Sequence, residues 1–269
     1  MDEKSLKLFL DFAEHLALQG GAVLEKYWGN FFIIEEKGEC WDLVTEVDKE
    51  SEDVILSLIR NKYPGHAILS EEAGLHAVKH AEFSWIIDPL DGTTNYTHQY
   101  PMVSVSIALT YRNKPIVGVV YNPILKEMFR AANGLGCSLN GKSICTSKVK
   151  SLERSLLATG FAYDRKKTED NNYAEFCYMT NNSQGVRRGG SAALDLAYVA
   201  AGKLDGYWER GLKPWDIAAG IVLIEEAGGC VSSYEGTPLI LETGRLLASN
   251  GIIHNDLLRS LKIARGVIA

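Results

Sequence analysis

The chain has 269 residues, 46% hydrophobic and 23% charged, which excludes disordered and fibrous classes and suffices for one large domain. Its 34 acidic residues outnumber 28 basic ones for a formal charge of −6, and no long basic run offsets them, so nucleic acid is not an expected partner. A start of Met-Asp-Glu-Lys-Ser is not a signal peptide, no apolar run approaches a membrane span, and five dispersed cysteines read as reduced, mostly packed thiols; a cytoplasmic protein is expected.

Leu6, Phe9, Leu10, Ala13, Leu16, Ala17, Val23 and Leu24 recur in steps of three and four, so residues 4–28 are predicted to form an amphipathic helix. Trp28-Gly29-Asn30 ends it. A second helix is expected from Thr45, with Asp48 three residues on as an approximate capping box. Tyr63-Pro64-Gly65 stops that helix. Asp48 then needs no role beyond the cap. Residues 66–69 read as a strand, followed by Glu71-Glu72. Such a pair is either a solvated loop or, with Glu71 turned inward, part of a metal site.

Residues 84–95 read Ser-Trp-Ile-Ile-Asp-Pro-Leu-Asp-Gly-Thr-Thr-Asn. Trp85 to Ile87 form a short buried strand, left at Asp88. Pro89 fixes one φ angle, Gly92 permits a tight turn, and Thr93, Thr94 and Asn95 form turns or helix caps. Asp88, Asp91 and the Leu90 carbonyl can point at one place. Clustered carboxylates repel unless a cation joins them, and an all-oxygen set suits Mg²⁺, Mn²⁺ or Ca²⁺. N–H groups after Gly92 suit a phosphate. A plain Asp-Pro turn with an Asx cap accounts for the same twelve residues.

Residues 103–109, 115–121 and 127–131 follow as an antiparallel, half-buried meander. Residues 136–143 match the nucleotide-binding pattern G-x-x-x-x-G-K-S letter for letter, yet no helical stripe follows. Asn140-Gly141 is a type I′ hairpin signal, and the hairpin is expected.

Beyond residue 150 strands and helices alternate, which divides the domain into an α+β part, 1–149, and an α/β part, 150–269. Strands are expected at 155–159, 185–188, 205–209 and 246–249, with helices over 169–180 and 255–264. Gly190-Ser191-Ala192 opens a helix capped by Ser191, another N-terminus of the anion-binding type or an ordinary cap. Pro214 opens an apolar helix with Asp216 in its first turn, where an acid also complements the helix dipole.

Taken together and in order, these segments form a set. Asp42-Leu43-Val44-Thr45-Glu46-Val47-Asp48, Glu71-Glu72, Asp88-Pro89-Leu90-Asp91-Gly92-Thr93-Thr94-Asn95, Gly190-Ser191-Ala192-Ala193 and Pro214-Trp215-Asp216-Ile217-Ala218-Ala219-Gly220 resemble the inositol monophosphatase family in its bacterial form. The resemblance implies a layered αβαβα sandwich shared with fructose-1,6-bisphosphatases, usually homodimeric, Mg²⁺-dependent with two to three ions, and often lithium-sensitive. It implies a first ion on Glu71, Asp88 and the Leu90 carbonyl, a second on Asp88, Asp91 and Asp216, and a weaker third near Glu71. It further implies Thr93, hydrogen-bonded to Asp48, as the group orienting the attacking water, with Lys37 in the outer network. Gly92 and Thr93 would receive the phosphate. Gly190, Ser191, Ala192 and Glu209 would face the alcohol part. The expected reaction is in-line attack of water on a small phosphate monoester, inositol 1-phosphate first, with histidinol phosphate, fructose 1,6-bisphosphate and phosphoadenosine phosphate as alternatives. A non-catalytic binding module is the rival class. The segment 159–164 offers no obvious substrate-contacting serine, which leaves the choice of substrate open.

Overall fold

The computed structural model describes residues 2–30, 34–36 and 43–267; Lys37, Cys40 and Asp42 lie outside them. In chain order, helix α1 (Glu3–Tyr27) leads through the hairpin β1 (Ile34–Glu36) and β2 (Leu43–Thr45) into α2 (Glu46–Lys62). Strands β3 (Ala67–Ser70), β4 (Gly74–His76) and β5 (Phe83–Asp91) precede the single turn α3 (Thr93–Thr97). The meander β6 (Ser104–Tyr111), β7 (Lys114–Asn122), β8 (Glu127–Ala132), β9 (Cys137–Leu139) and β10 (Lys142–Ile144) follows. The remainder is β11 (Leu156–Thr159), α4 (Tyr173–Asn182), β12 (Gly185–Arg187), α5 (Ala192–Ala200), β13 (Gly206–Arg210), α6 (Pro214–Glu226), β14 (Cys230–Ser232), β15 (Arg245–Ser249) and α7 (His254–Ala264).

Five layers stack. An eight-stranded sheet, ordered β10-β9-β8-β7-β6-β5-β3-β4, packs α1 and α2 on one face through Leu16, Leu24, Ile55, Val105, Ile107 and Val119. Its other face meets α5 and α6 through Ala108, Val120, Phe129, Leu196 and Val222. A five-stranded sheet, ordered β12-β11-β13-β15-β14, covers those helices from the far side and carries α4 and α7 on its outer face through Leu157, Trp208, Leu247, Met179 and Leu257. The chain is therefore an αβαβα sandwich, as the resemblance implied.

Four expectations are corrected. The meander is not half-buried: Ser104 to Thr110 are buried throughout, because helices cover both faces. The alternation in β6 instead sets large residues against α1 and small ones against α5 and α6. Ser106 Oγ donates to the Trp215 carbonyl at 3.1 Å, and any Cβ on Gly118 would collide with the backbone of Ala219. The strand before Asp88 does not stop there but runs to Asp91, its register with β6 broken between Asp88 and Asp91. The helix expected over 169–180 starts only at Tyr173. Left-handed Asn172 precedes it, its amide bonded to Thr159 Oγ1, the Gly160 carbonyl and the Trp208 indole. Of the described cysteines only Cys137 is buried, while Cys145 and Cys177 are exposed, so the thiols are not mostly packed.

The hairpin reading of 136–143 holds. Asn140 and Gly141 have φ of 49° and 75° between β9 and β10, and no helix follows, which removes the nucleotide loop.

Candidate active site

One cavity of about 570 Å³ opens where the two sheets and the starts of α3, α5 and α6 meet. Glu71, Asp88, Leu90, Asp91, Gly92, Thr93, Gly190, Ser191, Ala192, Glu209 and Asp216 all line it. Of the site residues expected from the sequence, Asp48 stands one contact behind and Lys37 lies outside the described residues.

Local structure places each acid. Glu71 follows β3, and its N–H donates to the Ile87 carbonyl at 3.2 Å, extending the ladder onto β5. The turn after it is held by the buried Glu52, whose carboxylate accepts from Ser70 Oγ and from the N–H groups of Glu72 (3.1 Å) and Ala73 (3.2 Å). At the break in β5, Asp88 Oδ1 accepts the Leu90 N–H at 3.0 Å. Asp91 reaches across to α5: its Oδ2 accepts from Ser191 Oγ at 2.6 Å and from the Ala193 N–H at 2.8 Å. Ser191 also caps the helix, its Oγ accepting the Leu194 N–H at 3.3 Å, and the positive end of α5 is turned on an aspartate of this chain. Asp216 keeps its capping use, accepting the Lys213 N–H at 2.6 Å, and still faces the cavity.

Asp48 does both things considered for it. Oδ2 accepts from the Thr45 N–H (2.8 Å) and Oγ1 (2.6 Å), completing the capping box of α2, while Oδ1 stands 3.2 Å from Thr93 Oγ1. The same hydroxyl lies 3.3 Å from the Leu90 carbonyl. Gly92 sits at φ 95°, and a Cβ there would stand 2.8 Å from the Met102 carbonyl oxygen, so the turn into α3 requires glycine.

Burial and mutual repulsion raise the acids' proton affinity. Asp88 is 2% exposed; desolvation first, then Glu71, Asp91 and Asp216, hold its pKa well above the carboxylate range. Asp216 is raised the same way, by burial and then by Asp91. In Asp91 burial also raises the value, against the lowering effect of the Ser191 and Ala193 bonds. Burial pushes Asp48 up to about 7. Glu71 adds to the raising of Asp88, and carboxylates crowded in this way repel one another unless a proton or a cation joins them. An all-oxygen set that repels itself fits a hard divalent cation. Among the described residues no three His, Cys, Asp or Glu side chains close around a single point. Donor chemistry, not a finished coordination sphere, is what the chain presents.

The far end of the cavity differs. Glu209 on β13 accepts the Tyr207 hydroxyl, and burial raises its pKa to about 7. Gly160 makes room for it, since a Cβ there would overlap the Glu209 carboxylate. Asp195, 3% exposed on α5, has its pKa raised well above the usual range by burial, then by Glu209 and Asp91. Arg165, Arg188 and Lys213 bring positive charge to the same lining. Asn95 bridges α3 and the turn before α5, donating to the carbonyls of Met102 (2.7 Å) and Gly189 (2.9 Å). Sequence reasoning took Asn95 only as a turn or cap former and Gly160 only as part of the 159–164 segment, and it did not single out Asp195 or Arg188. Arg188 stands just before a quoted motif, but nothing local in Asp195 signals a cavity.

This is the kind of site in which buried acids and helix starts face a polar ligand. The family model of the inositol monophosphatase family matches residues 5–265, and the chain belongs to that family. It is a phosphatase, and thus a hydrolase. The inositol-1-monophosphatase of Synechocystis is 55% identical over 256 residues, 95% of this chain and 89% of that protein. The Nus factor SuhB of Pseudomonas aeruginosa is 44% identical over 233 residues, 85% of this chain and 86% of that protein. Among solved structures, the inositol monophosphatase of Anabaena superposes with a TM-score of 0.89 at 53% identity, covering 96% of this chain and 97% of that one.

Proposed function

We propose that this phosphatase hydrolyses a small phosphate monoester, inositol 1-phosphate first among candidates, with Mg²⁺ held by Glu71, Asp88, the Leu90 carbonyl, Asp91 and Asp216. The observation that carries the reading is that these oxygen donors, from three separate chain segments, line one cavity together with the start of α3. Mg²⁺ there, as two or three ions, would supply charge neutralisation on the phosphate and a lowered water pKa. The chain's own residues would do the rest. Gly92 and Thr93 N–H groups would receive the phosphate. Thr93 would donate to Asp48 and, through its oxygen lone pairs, orient the attacking water for in-line displacement. Glu209 and the 190–192 turn would take hydroxyl groups of the alcohol. Phosphoryl transfer needs mainly such positioning and charge neutralisation.

Lithium sensitivity, a homodimer and a cytoplasmic location belong to the same proposal. Among the described residues no helix is long and apolar enough to cross a membrane. The test is phosphate release, with and without Mg²⁺, from inositol 1-phosphate, histidinol phosphate, fructose 1,6-bisphosphate, phosphoadenosine phosphate and ATP. Mg²⁺-dependent preference for one monoester supports the proposal, and a trapped phosphorylated side chain would sink the direct-attack mechanism. The relatives named Nus factor SuhB favour a second reading, in which the chain also serves as an interaction module. A co-purifying partner whose function survives Asp88→Asn would support that role.

A further inference from the structure

The loop between β11 and α4, residues 160–172, forms one wall of the cavity through Gly160, Phe161, Ala162, Tyr163 and Arg165. Asn172 fixes its base on Thr159, Gly160 and Trp208. Its middle is held by ions. Arg210, the residue after Glu209 on β13, forks onto Asp164, with Nη2 2.5 Å from Oδ1 and Nη1 3.3 Å from Oδ2. Asp170 is shared by three guanidiniums: Arg245 donates to Oδ2, Arg210 Nε stands 3.8 Å from the same oxygen, and Arg265 Nη2 stands 4.0 Å from Oδ1. Arg265 also meets Glu175 at the start of α4, at 3.6 Å.

Acceptors are scarce in this cluster. Among the described residues, the buried side-chain atoms without a hydrogen-bond partner are Arg210 Nε, Arg245 Nη1 and Tyr234 OH, all in this one place. Arg245 and Arg265 flank the Tyr234 ring at 5.9 and 5.7 Å. Asp170 is therefore the one carboxylate that all three guanidiniums meet, while Arg210 also meets Asp164 and Arg265 also meets Glu175.

We infer that Asp170 is a positioning residue that, together with Asp164, clamps the 160–172 wall onto Arg210, Arg245 and Arg265 and so sets how firmly the alcohol part of the substrate is held. The inference rests on the hydrolase reading above for its kinetic consequence only. Neutralising Asp170 removes the carboxylate that joins the three guanidiniums, leaving Arg210 on Asp164 and Arg265 on Glu175 but the Arg245 pair lost, and the loop loosens while the acid end of the cavity stays in place.

Asp170→Asn keeps the shape and removes the charge. Two readouts separate the clamp from the reaction. The loop carries Arg165, Lys166 and Lys167, and trypsin should cut the variant there at least about fivefold faster than the parent chain, whatever the chain hydrolyses. With Mg²⁺ present, KM for inositol 1-phosphate should rise roughly fivefold while kcat/KM for methyl phosphate, whose alcohol is too short to reach the wall, stays within about twofold. Asp170→Glu should restore both. Arg265→Lys, a milder lesion on the same carboxylate, should move both in the same direction and covers the case in which Asp170→Asn does not fold. Unchanged cleavage, faster cleavage with unchanged KM, or equal loss on both esters overturns the clamp. Absence of phosphate release by the parent chain would instead sink the hydrolase reading, and the cleavage rate would still decide the clamp.

Discussion

The two ends of the cavity are built in different ways. At the acid end four carboxylates are tied to main chain: Asp88 to the Leu90 N–H, Asp91 to the Ala193 N–H, Asp216 to the Lys213 N–H, Asp48 to the Thr45 N–H. Those donors sit at a strand break and at three helix starts, so the acids move only if the layers move. At the far end Glu209 is held by a tyrosine hydroxyl, and the facing wall hangs on arginine–aspartate pairs. Side-chain anchors of that kind shift at small cost compared with a sheet register or a helix start. The proposed hydrolysis of a phosphate monoester would be served by that division: fixed at the phosphate end, adjustable at the alcohol end.

The largest effect that would sharpen the contrast is at the fixed end. Asp88→Asn should lower Mg²⁺-dependent turnover on the order of 10³-fold or more, with the fold intact by circular dichroism. Wild-type-like turnover would refute its role. Next, Gly160→Ala forces the Glu209 carboxylate aside, and should raise KM for inositol 1-phosphate about tenfold with kcat on methyl phosphate little changed. Equal loss on both esters would erase the distinction between the ends. Gly118→Ala drives a methyl into the Ala219 backbone and tests the packing beneath both ends; it should cost about 1–3 kcal/mol in urea unfolding.

The smallest effect is on pH. Asp48 and Glu209, raised to about 7, bind protons more tightly folded than unfolded, so the stability gained from their protonation is lost as pH rises through about 7. The metal-free chain should therefore melt higher near pH 6 than at pH 8. His66 and His254 oppose this: burial lowers both, so below their ordinary value of 6.5 the unfolded chain takes the extra protons. The His66 ring also accepts the Trp85 indole N–H at 3.1 Å, a bond its protonation on Nδ1 would break. Saturating Mg²⁺ should raise the melting temperature at pH 8 and flatten the dependence. A metal-free melting temperature that climbs steadily from pH 6 to 8 would contradict the raised values.

Much of this was legible along the chain because it depends on neighbours in sequence. Apolar steps of three and four set α1, Thr45 and Asp48 lie three apart and make the box that opens α2, and Asn140-Gly141 turns as its φ values demand. The Asp88–Asn95 stretch could be read because its break, turn and helix start span eight residues. What the tertiary structure alone decided concerns residues far apart. Asp91 meets Ser191 and Ala193 about a hundred positions away, and so the start of α5 receives an aspartate. Gly160 is needed only because Glu209 crosses in front of it. The meander is buried on both faces because α5 and α6 arrive later in the chain to cover it. Asn172 turns left-handed, and α4 starts late, because Trp208 and Thr159 claim its amide. Local pattern sets which groups a segment offers; which of those groups are desolvated, repelled or paired depends on layers that meet only once the chain is folded.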